Sequence, residues 1–307
     1  DMETWADLTE AGNKMNQDSS GAVSLYAFPA NTSYLYEVLA IEQGCNDILE
    51  EKPKSSFTTD YYNTAQGIQD GINAAYASLR FQYGTNPALA LNETGTDEFT
   101  FGPEPNYNTS GDNLPHKQMG QYSLTAAQGY LGVTFDRTFP VINMLNMLID
   151  FAPEVPGLTN VQRQTIIGEA HYLRAHYYYV LVGQFGPSPV DLGSGDFNFN
   201  TQVFLGFNRL DPDLLNKNYD VIISDLTIAS QNLPDARPAG QFKLSKAVAL
   251  HLLSKIYLWR AYSPSAQAGD FQNAYDVAME LINNQAQYGT ALQPNFAEVF
   301  RQGNDYN

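Results

Sequence analysis

Four groups of side chains in this 307-residue sequence could do chemistry, and their spacing limits what that chemistry is. Acids stand side by side at Asp97 and Glu98, and one residue apart at Asp211 and Asp213. Glycosidic hydrolysis needs two carboxyl groups held apart across the scissile bond, whereas adjacent acids are ordinarily just solvated, so no catalytic residue is assigned. His171 and His176 are five residues apart, which on a helix turns them to different faces and disfavours a shared metal ion. His116 and His251 stand alone, and the sequence holds no Gly-rich phosphate loop, nucleophile elbow or His-Glu-x-x-His. No cofactor, metal or catalytic activity is therefore expected.

The third group is a mixture of rings and planar polar groups. Phe99, Phe101 and Tyr107 lie among Asp97, Glu98, Asn106, Asn108, Asp112 and Asn113. Sugars are recognised in this way, with an aromatic face under the axial C–H patch and amides or carboxylates taking paired hydroxyls. Tyr107, flanked by Pro105, Asn106 and Asn108, heads the candidates, followed by Phe99, Phe101, Asn106, Asn108 and Asp97. Alternatively, Phe99 and Phe101 only pin their loop to a scaffold. The fourth group is a single cysteine, Cys45, which excludes an intramolecular disulfide and a Cys-based zinc cage.

Composition narrows the partners. With 16 basic and 33 acidic residues the formal charge is −17, so nucleic acid and an anionic membrane face would both repel the chain, while a neutral ligand would not. Hydrophobic residues make up 43% of the chain, enough for a sizeable core. Twenty Tyr and 17 Phe serve either a helical core or a surface that stacks on sugar rings. No apolar run approaches the roughly 18 residues of a membrane span, and no ordinary signal peptide is legible in the polar opening segment.

The elements that must position these groups are helices. Ile166, Ala170, Leu173, Tyr177 and Leu181 form one helical stripe, which Gly186 and Pro187 terminate. Tyr172, Tyr178 and Tyr179 lie off that stripe and predict a second buried face. Ala65, Ile68, Ile72, Ala75, Tyr76 and Leu79 predict a helix capped from Thr58-Thr59-Asp60, and Ser123 to Asp150 predicts another, kinked or restarted at Pro140. Leu215 to Leu233 keeps a regular rhythm after Asp211-Pro212, and further helices are expected over Ser245–Ala261 and Asp270–Asn284. Residues 81–121 and 188–208 read as long loops, the first long enough to be functional. Leu253-Ser254-Lys255-Ile256-Tyr257 fits a tetratricopeptide first helix, and Phe271, Ala274 and Ala278 echo the second; any α-hairpin with small crossing residues would match as well.

Several segments, in order, resemble the SusD/RagB family of outer-membrane lipoproteins. They are Cys45-Asn46-Asp47-Ile48-Leu49 with its acidic, proline-containing sequel, Ala74 to Arg80, Val141 to Ile149, Gly168-Glu169-Ala170 to Arg174-Ala175 with the Phe185-Gly186-Pro187 exit, Leu233-Pro234 leading to Lys246–Leu258, and Asn295 to Phe300. The resemblance implies an all-α fold of tetratricopeptide-like helical hairpins, a SusD-like α-α superhelix with long loops. It divides the chain into residues 1–44 without assignment, a tether at 45–57 and a helical domain over 58–307. Because family members are substantially longer, a chain stopping inside the fold is the expectation.

The resemblance further implies a non-enzymatic glycan-binding protein at the outer-membrane surface, seated over a SusC-like TonB-dependent transporter. Family members commonly present ligand from the loop after the first helix, here 81–121. Membrane attachment would run only through a lipid on Cys45, which otherwise is a free cysteine in a tether. Two other functions fit the residues, a tetratricopeptide-type protein-protein scaffold and an α-helical glycoside hydrolase.

Overall fold

The computed structural model describes residues 59–83, 91–99, 118–123, 125, 129–193, 212–238 and 243–300. The chain divides into two units, Asp1–Ser56 and Phe57–Asn307, and every described residue lies in the second. That unit is helical: α1 is Thr59–Tyr62, α2 Ala65–Tyr83, α3 Gly129–Phe151, α4 Asn160–Phe185, α5 Pro212–Asn232, α6 Lys246–Ala261, α7 Asp270–Asn283 and α8 Gln285–Tyr288, with a 3₁₀ turn at Phe296–Phe300. Each long helix packs on its successor, α2 on α3 and onward to α6 on α7, and α2 also reaches α4. This is the tetratricopeptide-like stacking of hairpins.

α4 forms the spine because it is apolar on more than one side. Its predicted stripe is buried from Ile166 to Leu181, and Tyr172 and Tyr178 are buried on the second face, with Tyr179 half-buried. A capping box starts it: Gln162 N–H donates to Thr159 Oγ1 at 3.3 Å and Thr159 N–H to Gln162 Oε1 at 2.9 Å. At the far end Gly186 takes φ 74°, a conformation costly for other residues, and Pro187 follows.

The other expected helices differ in detail. The cap of the first long helix is not at 58–60, because Thr59 and Asp60 sit inside the short α1. Thr64 caps α2 instead, its Oγ1 accepting from Gly67 N–H at 3.0 Å. α3 starts at Gly129 and not at Ser123, runs through Pro140 as one helix without the restart that was one expectation, and ends at Phe151 as expected. Arg163 of α4 covers the carbonyls just beyond it, Nη1 donating to Ala152 O at 2.7 Å and Nη2 to Val155 O at 3.0 Å. Such carbonyls would otherwise be left unsatisfied at a helix end.

One contiguous core joins α2 to α6 through Ile68, Ile72, Leu145, Leu148, Leu173, Ile222, Leu226 and Ile256. Small residues let the helices close up. Ser254 Oγ of the tetratricopeptide-like segment donates to Ala274 O at 2.8 Å, fastening α6 to α7 where they cross. At Gly168 a Cβ would stand 2.8 Å from Leu233 Cγ and 3.0 Å from the Leu233 backbone nitrogen. Gly168→Ala should therefore lose stability despite a helix-propensity gain of about 1 kcal/mol, because the overpacking it causes costs about 1–3 kcal/mol. A urea midpoint lower than that of the wild type checks this.

Candidate functional site

The ends of three helices converge on a cleft of about 830 Å³. α2 contributes Gln82 and Tyr83, α4 contributes Tyr179, Val180, Gly183 and Gln184, and α6 contributes Trp259. Leu91 to Gly95, Met119 and Tyr122 line the remaining wall. The volume suits a few sugar rings or another ligand of that size.

Its aromatic groups are held in place by local contacts. The Tyr179 and Trp259 rings lie 4.8 Å apart at 43°, and Lys255 sits over both, 5.2 and 5.4 Å from their centroids, with its ammonium donating to the Tyr179 hydroxyl at 2.8 Å. This cation–π clamp orients the pair without occupying the cleft. Also lining the cleft, Tyr122 is 84% exposed and takes φ 53°, unusual for a bulky residue. Its hydroxyl donates to Gly95 O at 2.9 Å, which holds the ring over the 91–95 segment. Strained backbone of this kind concentrates at ligand sites.

The polar groups belong to the same wall. Gln184 Nε2 donates to Asn92 Oδ1 at 3.0 Å, joining the end of α4 to the segment after α2. Tyr83, 62% exposed, shares a hydrogen bond of 2.7 Å with His176 Nε2. Burial, with a smaller contribution from the Lys255 charge, pushes the His176 imidazole down to about 4, so it is neutral at physiological pH. Among the described residues Glu93 is the one carboxylate lining the cleft.

Part of the 81–121 segment therefore builds the site. Asp97 and Phe99 lie on one exposed turn where Gly95 N–H donates to Phe99 O at 2.8 Å, with Thr94 and Phe99 forming a single bridge. Neither lines the cleft itself; both flank the wall made by Thr94 and Gly95. Phe101, Asn106, Tyr107 and Asn108 lie outside the described residues, as does Cys45. The paired acids are not assembled into a site: Asp97, Glu98 and Asp213 are exposed, and Asp211 lies outside the described residues. His171 and His176 do diverge, the first to Asp225 of α5 and the second to Tyr83 of α2. No group of acids, histidines and cysteines among the described residues could hold a metal ion.

Sequence reasoning did not find Tyr83, Tyr122, Tyr179, Gln184 or Trp259. Two of them carried a usable signal: Tyr179 stands off the buried stripe, and Trp259 is one of only 2 tryptophans.

Stacked helical hairpins with a ring- and amide-lined cleft at their edge define a helical-repeat protein with a candidate ligand site. The chain belongs to the SusD-like family: residues 47–258 match the family model described as "Starch-binding associating with outer membrane". It is 29% identical over 264 residues to SusD-like protein P2 of Formosa agariphila, a match covering 84% of this chain and 47% of that protein. SusD-like protein P25 of the same organism is 23% identical over 279 residues, covering 86% and 47%. Among solved structures, a laminarin-binding SusD-like protein superposes with a TM-score of 0.60 at 22% identity, covering 80% of this chain and 50% of that one. NanU of B. fragilis superposes with a TM-score of 0.61 at 19% identity, covering 83% and 48%. These likenesses carry the fold, and the chain spans about half the length of the relatives it matches. None of the described helices is long and apolar enough to cross a membrane.

Proposed function

We propose that this chain binds oligosaccharide without turning it over, at the outer-membrane surface, and delivers it to a SusC-like TonB-dependent transporter. The observation that carries the reading is the cleft, which sets the rings of Tyr83, Tyr122, Tyr179 and Trp259 around the amides of Asn92 and Gln184. Aromatic faces stack on sugar C–H surfaces and planar amides take paired hydroxyls. The family description, with its starch binding and outer membrane, supports both the ligand class and the location. One structural neighbour is a laminarin-binding SusD-like protein and another is a crystal structure with xylogluco-oligosaccharide, and that too supports a neutral glycan here. Among the described residues one carboxylate, Glu93, lines the cleft, which supports binding over hydrolysis, since hydrolysis requires two across the bond. Attachment through a lipid on Cys45 and ligand contacts from Tyr107, Phe101, Asn106 and Asn108 belong to the same proposal.

Affinity electrophoresis against a panel of soluble glycans tests it. At least one polysaccharide should retard the protein, with no release of reducing sugar. Trp259→Ala and Tyr122→Ala should each weaken that retardation by about tenfold in apparent Kd, since a stacked ring is worth roughly 0.5–1.5 kcal/mol beyond its buried area. Tyr107→Ala, run in parallel, reports on the loop separately. Release of reducing sugar, or peptide binding with no glycan retarding the protein, would overturn the reading.

A further inference from the structure

His176 is enclosed by rings. Tyr172 stacks on it at 6.0 Å and 18°, Tyr177 meets it edge-on at 6.5 Å, Tyr179 lies at 5.7 Å, and the ring of Tyr83 lies at 5.8 Å. Its Nε2 is 2.7 Å from the Tyr83 hydroxyl, while its Nδ1 is buried with no hydrogen-bond partner among the described residues. A neutral imidazole has one N–H and one bare nitrogen. Placing the proton on Nδ1 would strand a donor in an apolar nest, and stranded buried N–H groups are rarer than under-satisfied acceptors. The proton therefore belongs on Nε2, where the Tyr83 oxygen accepts it.

The consequence falls on the cleft. A tyrosine whose oxygen already accepts from histidine has its own O–H free to donate elsewhere. Tyr83 is largely exposed and lines the cleft, so that proton turns toward the ligand space. Resting on the glycan-binding reading above, we infer that His176 is a positioning residue that makes the Tyr83 hydroxyl a hydrogen-bond donor to a sugar oxygen. The ligand group it selects is a lone-pair acceptor, such as a ring, glycosidic or hydroxyl oxygen. The groups facing His176 are Tyr83 from α2, Tyr172, Tyr177 and Tyr179 from α4, and Lys255 from α6, which adds a repelling positive charge. All of them favour the neutral ring over the physiological range.

The test is a cycle of variants read by affinity electrophoresis on the glycan that best retards the wild type. Tyr83→Phe, which keeps the ring and removes the hydroxyl, should weaken binding about fivefold, the loss of one net hydrogen bond. His176→Phe should weaken it by a similar factor, and the double variant should be no worse than either single one. His176→Gln, whose side-chain N–H can still donate to the Tyr83 oxygen, should restore most of the affinity. Wild-type binding by Tyr83→Phe, or losses that simply add in the double variant, would overturn the inference. If those variants are neutral while Trp259→Ala and Tyr122→Ala lose binding, the glycan reading stands and only this inference falls. If no glycan retards the wild type, the functional reading falls and takes this inference with it.

Discussion

Asp225→Ala is expected to remove about 3–5 kcal/mol of stability, because it strands a buried guanidinium without its counter-charge. Asp225 is 2% exposed and accepts from Arg174 twice, Nη2 to Oδ1 at 2.7 Å and Nε to Oδ2 at 2.8 Å, and from His171 Nδ1 at 2.6 Å. Arg174 Nη1 also donates to Asn146 Oδ1 at 2.8 Å, and Asn146 Nδ2 donates to Asp191 O at 3.0 Å and Gly193 O at 3.1 Å. One carboxylate thus ties together α3, α4, α5 and the exit segment after Gly186. Against the 5–15 kcal/mol typical of a folded domain, such a loss is a large fraction. Urea unfolding should show the midpoint fall steeply. Removing both charges with Arg174→Met and Asp225→Leu should recover most of it, since a buried pair replaced whole by apolar groups is often close to neutral. Equal destabilisation in the single and the double variant would refute this account.

Arg260→Met is expected to have an effect of the same order, about 3–5 kcal/mol, but one confined to the last hairpin. Arg260 joins α6 to Asp270, the first residue of α7, with Nη2 donating to Oδ1 at 2.7 Å and Nε to both oxygens at 3.1 Å. Asp270 is 1% exposed. Burial by itself would raise its carboxyl, yet Arg260 and the Gln267 N–H outweigh that and hold it below the ordinary carboxylate value. A depressed folded value adds stability above the unfolded pKa of about 3.9, and that contribution is lost as the pH falls through the folded value. The variant would leave Asp270 buried and charged with its Arg260 partner gone and the Gln267 N–H remaining, so α7 should open first. Hydrogen exchange should show lost protection in α7 with α4 unchanged, and the neighbouring Trp259 should lose part of its contribution to glycan retardation. Uniform loss of protection across α2 to α7 would contradict a local role.

Periodicity made most of the scaffold legible. The stripe from Ile166 to Leu181 and the off-stripe Tyr172 and Tyr178 are buried as read, because a helix between neighbours must be apolar on two faces. Tyr219, Ile222, Leu226, Ala229 and Leu233 are buried for the same reason. Capping was less legible. Thr58-Thr59-Asp60 and Thr64 both offer oxygens, and which one caps α2 depends on where the chain turns, as it does after Tyr62. The 81–121 segment stood out by its length and polarity, and its stretch from Leu91 to Gly95 does line the cleft. The pairing of rings on the cleft was not legible: Tyr179 and Trp259 each carried a signal of its own, but they are far apart in sequence and show no pattern that pairs them.

Local spacing by itself determined that this protein is built of long amphipathic helices, roughly where each lies, and which of its faces turns inward. Only the tertiary structure decided that Arg174 meets Asp225 across 51 positions, that His176 reaches Tyr83 across 93, and that Trp259 comes to lie beside Tyr179. The physical reason is that burying an apolar face depends on neighbours three or four residues away, whereas a cleft is made where helix ends distant in sequence are brought level by packing.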